Sequence, residues 1–138
     1  MKNLDFRKLH LWQRTFVALG IGLIVNVGLA AVLHPLAPDL MQLSAVPVAF
    51  WTILGTLGAT IVFAFMRRNP ENLKRRFMLV AIIVLFISFI PDIAIYFVSI
   101  PGFTGATIGG LLALMLLHVT TALITVSLLL NSTSLQSQ

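Results

Sequence analysis

Four long apolar stretches alternate with short polar breaks along the chain. They cover about residues 15–33, 47–66, 77–98 and 106–130, and proline or glycine stands in each break between them. A helix needs about 20 apolar residues to cross the hydrocarbon core of a bilayer, and proline and glycine are typical of helix ends. The pattern therefore predicts an all-α protein, a bundle of four transmembrane helices that forms one domain over residues 1–138.

The composition agrees with this pattern and excludes a water-soluble globule. Of the 138 residues, 59% are hydrophobic and only 9% are charged, whereas a soluble domain carries about 25% charged residues. The polar side chains are too few to cover a surface in water, so the expected surroundings are a lipid bilayer. The chain contains no cysteine, so we expect neither disulfides nor a thiolate metal site.

The positive charges lie on one side of the predicted membrane. All nine Lys and Arg residues precede the first apolar stretch or lie between the second and the third. Because Lys and Arg are enriched in cytoplasmic loops, both termini are expected in the cytoplasm. Contact with anionic lipid headgroups explains the net charge of +5, so nucleic acid is not an expected partner.

Small and hydroxyl side chains recur every four residues in the first two stretches. They are Ala18, Gly22 and Asn26 in the first, and Gly55 and Ala59 beside Thr52, Thr56 and Thr60 in the second; Gly105 and Gly109 repeat the spacing at the start of the fourth. Lipid tails are as apolar as leucine, so membrane helices associate through close backbone approach and hydrogen bonds. These positions predict the faces through which the helices meet.

Four polar side chains fall near one level inside the predicted membrane: Asp92, His118, Asn26 and Ser88. An ionised carboxylate is costly in hydrocarbon, so Asp92 is expected to take up a proton or to find a cation. No Lys or Arg lies in any predicted span, and His118 is the titrating side chain at the same depth. We therefore expect an Asp92–His118 pair.

Pro91 directly precedes this aspartate. Proline cannot donate a hydrogen bond to the carbonyl of Ile87, so we expect a helix kink at Pro91 that leaves room beside Asp92. His34 and Asp39, beyond the end of the first stretch, are candidates for lining an outer vestibule above this site.

Two interpretations of the pair stay open. It either fixes the register of the helices or binds and moves a small ligand, an ion or a proton. In the second interpretation the protein is a carrier or binding protein: Asp92 accepts the proton or cation, His118 is its partner, and Asn26 and Ser88 supply orienting hydrogen bonds. The alternative is a non-catalytic accessory subunit that docks onto a larger membrane complex.

No catalytic motif appears in the chain, so we expect neither an enzyme nor a cofactor or metal. A bundle of this size often needs a second copy to enclose a pathway. A homodimer or a larger membrane complex is therefore the partner that we consider besides lipid.

Residues 75–130 resemble a family of small bacterial four-helix membrane proteins of unknown function. The likeness rests on RRFMLVAIIVLFISFIPD and on LALMLLHVTTALI, which contains Met115 and His118. Such proteins often have an apolar residue or a proline where this chain has Asp92. This difference argues against a role of the pair that the whole family shares. The resemblance implies a place in the bacterial cytoplasmic (inner) membrane and no particular activity.

Overall fold

The computed structural model describes residues 10–97 and 106–130. These residues form four α-helices: α1 (Leu11–Leu33), α2 (Ala45–Met66), α3 (Leu73–Phe97) and α4 (Ile108–Leu130). Two short 3₁₀ helices, His34–Leu36 and Met41–Leu43, lie in the connection between α1 and α2. Each α-helix is long and apolar enough to cross a membrane, so the predicted all-α bundle of four spans is confirmed. The helices begin two to four residues from the predicted positions.

The start of α4 is tied to the α1–α2 connection. The Thr107 hydroxyl oxygen accepts a hydrogen bond of 3.0 Å from the backbone N–H of Gly110, as an N-cap residue does. The same hydroxyl group donates to the carbonyl of Leu36 at 3.0 Å. One threonine therefore satisfies a free N–H at the helix start and holds two segments of the chain together.

Helices α1, α2 and α4 form the closely packed part of the bundle. α1 packs along both α2 and α4, and a Cβ atom added to Gly22 would approach the γ-methyl group of Thr52 to 3.3 Å. Of the residues that the sequence placed on the contact faces of α1 and α2, six are buried and Ala59 is half-buried, but Gly55 is exposed. The six buried residues are Ala18, Gly22, Asn26, Thr52, Thr56 and Thr60. Those residues are therefore packing positions, as predicted.

Helix α3 lies at the edge of this group. It packs mainly on α4 and makes few contacts with α2, and its buried residues are Leu73, Phe77 and Asp92. In an apolar 18-residue segment of α3 only 6% of the residues are buried, against 22–28% in such segments of the other three helices. α3 is therefore held by buried side chains near its first turns and at Asp92, with a long half-exposed stretch between.

The basic end of the bundle is closed by an apolar cluster that reaches all four helices. Phe63 of α2, Phe77 of α3 and Leu129 of α4 are buried there, and Leu11 of α1 packs against them. The two phenylalanine rings meet edge to face, with centroids 4.9 Å apart. At the opposite end the α1–α2 connection packs over α4 in a second apolar cluster.

Candidate functional site

The structure brings Asp92 of α3 and His118 of α4 together. The distance from His118 Nε2 to Asp92 Oδ2 is 3.2 Å, and the Asp92 side chain is 8% exposed while that of His118 is 31% exposed. Asp92 Oδ2 is buried and has no hydrogen bond within the described residues. The imidazole is thus the polar group that faces this oxygen, and part of the imidazole remains open to the surroundings of the bundle.

His118 lies near the middle of α4, whereas Asp92 is about 28 Å from Leu73 and about 8 Å from Phe97, the last described residue of α3, at about 1.5 Å per residue. His118 is about 15 Å from Ile108 and about 18 Å from Leu130 along α4, at a rise of about 1.5 Å per residue. Asp92 is the one acidic side chain in the four helices that the structure describes. A carboxylate at this depth is a functional candidate because its burial is costly unless a partner compensates for it.

The surroundings of the pair are apolar. The ring of Phe89 lies one turn before Asp92 on α3, with its centroid 6.4 Å from the imidazole centroid of His118. Ile90 and Ile93, which flank Asp92 on α3, are exposed. The pair is therefore a polar site that adjoins apolar side chains of α3.

Ser88 does not join the pair through the hydrogen bond that its hydroxyl makes. That hydroxyl donates to the carbonyl of Leu85 in its own helix at 2.7 Å, a local bond that serine and threonine commonly form in helices. The expected orienting bond from Ser88 to the site is therefore not formed in this structure.

Helix α3 continues through Pro91. The Ile87 carbonyl lacks its usual N–H partner there because proline has none. The kink at this position stays a prediction.

Asn26 lies in a different polar group from the one expected. Its Nδ2 donates to Thr52 Oγ1 of α2 at 2.9 Å and also to Thr121 Oγ1 of α4. Asn26 is 1% exposed and joins three helices at once. The four side chains expected near the midplane therefore do not form one group. Asp92 and His118 form a pair, Asn26 connects α1, α2 and α4, and the Ser88 hydroxyl bonds within α3.

Further hydroxyl pairs extend this second group toward the basic end. Thr15 Oγ1 and Thr60 Oγ1 are 3.1 Å apart, and Thr56 Oγ1 and Thr125 Oγ1 are 3.3 Å apart. Hydrogen bonds between membrane helices contribute about 0.6 kcal/mol each on average. The spacing of the α2 threonines indicated their face, but nothing in the sequence identified Thr15 and Thr125 as their partners.

The outer vestibule expected above Asp92, with His34 and Asp39, stays a prediction. His34 lines a cavity of about 450 Å³ whose other lining residues come from α1, the α1–α2 connection and the start of α2. Residues of α3 and α4 do not line it, so this cavity does not lead to Asp92. Asp39 is exposed in the connection.

Arg14 is a buried cation that sequence reasoning counted only as an orienting charge. It is 3% exposed, and its guanidinium donates to the carbonyl of Leu128 at 3.5 Å. The last carbonyls of a helix carry a partial negative charge, which favours a cation beside them. Arg14 therefore fastens the start of α1 to the end of α4.

The fold and the site define a small four-helix membrane protein with one intramembrane acid–imidazole pair. The sequence profile of a family described as "Family of unknown function (DUF6069)" matches residues 6–134. The chain belongs to this family, and the resemblance seen in residues 75–130 to a four-helix family of unknown function is confirmed. Comparison with curated proteins and with solved structures finds no match.

Proposed function

We propose that this protein is a carrier that binds a proton or a small cationic ligand at Asp92 and His118. The observation that carries the proposal is the geometry of the pair: a carboxylate 8% exposed lies 3.2 Å from an imidazole 31% exposed. A pair that served only to fix helix register has no need of an open side. Carboxyl and imidazole groups both accept and return protons, as a proton carrier requires.

Proton flux through the purified protein tests this proposal. In liposomes that contain a pH-sensitive dye, with an imposed membrane potential, the wild type is expected to carry protons at a measurable rate. Asp92→Asn is expected to lower that rate at least about tenfold, since proton relays through a bilayer depend on intramembrane carboxylates. The substitution keeps the size of the side chain and removes its ability to ionise.

Glu71→Gln is the matched control, because Glu71 is an exposed acid outside the helices, in the α2–α3 connection. Its flux is expected to equal that of the wild type. If the wild type carries no more protons than empty liposomes, or if Asp92→Asn carries as many as the wild type, the carrier function is rejected.

An accessory subunit is the second candidate, and one observation favours it. Only 6% of the residues in an apolar 18-residue segment of α3 are buried. This leaves a long helix surface for a larger membrane protein or a second copy of this chain. In that case the Asp92–His118 pair fixes α3 on α4 and carries no proton, so the flux experiment separates the two candidates. Under either candidate we propose that the protein is not an enzyme.

We also propose that the protein lies in a bacterial cytoplasmic membrane with both termini in the cytoplasm. The positions of the nine Lys and Arg residues support this orientation. Because the chain has no cysteine, single cysteines are specific labels. In intact cells a membrane-impermeant maleimide is expected to label Asp39→Cys but to label Asn69→Cys only after lysis, and the reverse pattern would show the opposite orientation.

A further inference from the structure

His118 lies on the side of α4 that faces the space between α2 and α3. It precedes Thr125 by two helical turns, so the two side chains share one face of α4. Thr125 meets Thr56 of α2, whereas His118 meets Asp92 of α3. His118 therefore stands at the border between the sides of α4 that these two helices cover.

Helices α2 and α3 are not closely packed against each other. The two helices make few contacts with each other, among which is the Phe63–Phe77 contact at the basic end. On α2, Gly55 is exposed, and an added Cβ atom would lie 3.7 Å from the γ-methyl group of Thr121, one turn from His118. We call the region between α2 and α3 beside Gly55, Phe89, Asp92 and His118 the α2–α3 slot.

Apolar side chains are exposed on both helices beside the α2–α3 slot. Trp51 and Leu54 of α2 and Ile90 and Ile93 of α3 are exposed on the helices that border it. The site is about 15 Å from the nearer end of α4, at about 1.5 Å per residue. A molecule already dissolved in the hydrocarbon reaches this depth without crossing a polar boundary, so the geometry favours an apolar ligand that enters from the side.

The charge of the site selects a cation. Within the described helices α2 carries no titratable side chain, α4 carries His118 alone, α1 carries Arg14 in its first turns, and α3 carries Tyr96 one turn beyond Asp92. The basic residues of α3 lie in its first turn. With a neutral imidazole the site has one negative charge, and a cation attached to an apolar body neutralises it. The ring of Phe89 adds an aromatic face of the kind that binds organic cations.

We infer that the Asp92–His118 pair is the binding site of a lipophilic organic cation, which enters through the α2–α3 slot. This inference rests on the proposed role of the pair as a binding site. In this proposal one proton on the pair neutralises the negative charge before binding. The cation replaces that proton, which leaves for the solvent, and the site is again neutral. One cation bound therefore releases one proton.

Binding of radiolabelled tetraphenylphosphonium to the full chain in nanodiscs tests this inference. The wild type is expected to bind it above the level of empty nanodiscs and to release protons into a weakly buffered solution. Asp92→Asn is expected to lose at least about tenfold in affinity, because the charge that attracts the cation is gone. Glu71→Gln, at an exposed acid outside the helices, is expected to bind as the wild type does. Tetraphenylborate, an anion of the same shape, is expected to show no binding that depends on Asp92.

A second pair of variants tests the route and does not alter the acid. Gly55→Leu places a side chain beside Thr121, one turn from His118. At Gly58, in contrast, nothing lies within 4 Å of an added Cβ atom. Gly55→Leu is expected to lower phosphonium binding severalfold and Gly58→Leu to leave it unchanged. Equal binding by these two variants would overturn the lateral route.

The remaining outcomes also decide the matter. Equal binding by the wild type and Asp92→Asn, or equal Asp92-dependent binding of phosphonium and borate, would overturn the inference. A wild type that binds no phosphonium and migrates with twice its mass would indicate that a second copy covers the slot, which also overturns it. Proton flux that depends on Asp92 without phosphonium binding would leave the carrier proposal standing and remove the lipophilic cation alone.

Discussion

Replacing Phe77 with alanine is expected to lower the free energy of unfolding by about 3 kcal/mol, a typical cost of deleting a buried aromatic ring. Phe77 is 1% exposed and packs against Phe63 and Leu129 where all four helices meet. In a bilayer this cost reflects lost packing contacts, because lipid tails are as apolar as leucine side chains. The cavity that remains is enclosed by protein, so lipid cannot fill it.

Phe86 offers the matched control on the same helix. It is 65% exposed, so Phe86→Ala is expected to change stability by less than about 0.5 kcal/mol. Unfolding of the detergent-solubilised variants by increasing sodium dodecyl sulfate, followed by circular dichroism, measures both changes. Equal losses from the two substitutions would show that α3 is not anchored through the Phe77 cluster.

Replacing Gly110 with alanine is expected to cost about 2 kcal/mol, which is within the usual range for overpacking. A Cβ atom at this position would lie 2.7 Å from Ala37 Cβ and 2.9 Å from Leu40 Cδ2. The leucine side chain is itself buried, at 1% exposed, and the Cβ of Ala37 moves only with its backbone. The substitution therefore pushes the α1–α2 connection away from the start of α4, where Thr107 joins them.

Gly58→Ala is the control for this substitution, because nothing lies within 4 Å of its Cβ position. Alanine favours a helix over glycine by about 1 kcal/mol, so Gly58→Ala is expected to leave stability unchanged or to raise it. The same denaturation series measures both variants. A destabilisation of Gly58→Ala equal to that of Gly110→Ala would contradict the close contact with Ala37.

The sequence located the pair but not the whole candidate site. The rise of a helix converts residue number into depth, and depth alone placed Asp92, His118, Asn26 and Ser88 near one level. Their directions around the helix axes then separated them, because Asn26 points toward Thr52 and the Ser88 hydroxyl bonds to its own helix. Depth can be read from one helix, whereas direction depends on where the neighbouring helices stand.

By itself the sequence determined the lipid surroundings, the four spans and the contact faces of α1 and α2. These are local properties, since hydropathy and the four-residue spacing of small side chains act within a single helix. Only the tertiary structure decided which helices are neighbours: α3 lies on α4 and stands largely apart from α2. The physical reason is that lipid covers every apolar helix face equally well, so apolar sequence cannot select a neighbour. Packing of small residues and a few hydrogen bonds select it, and their partners are distant in the chain.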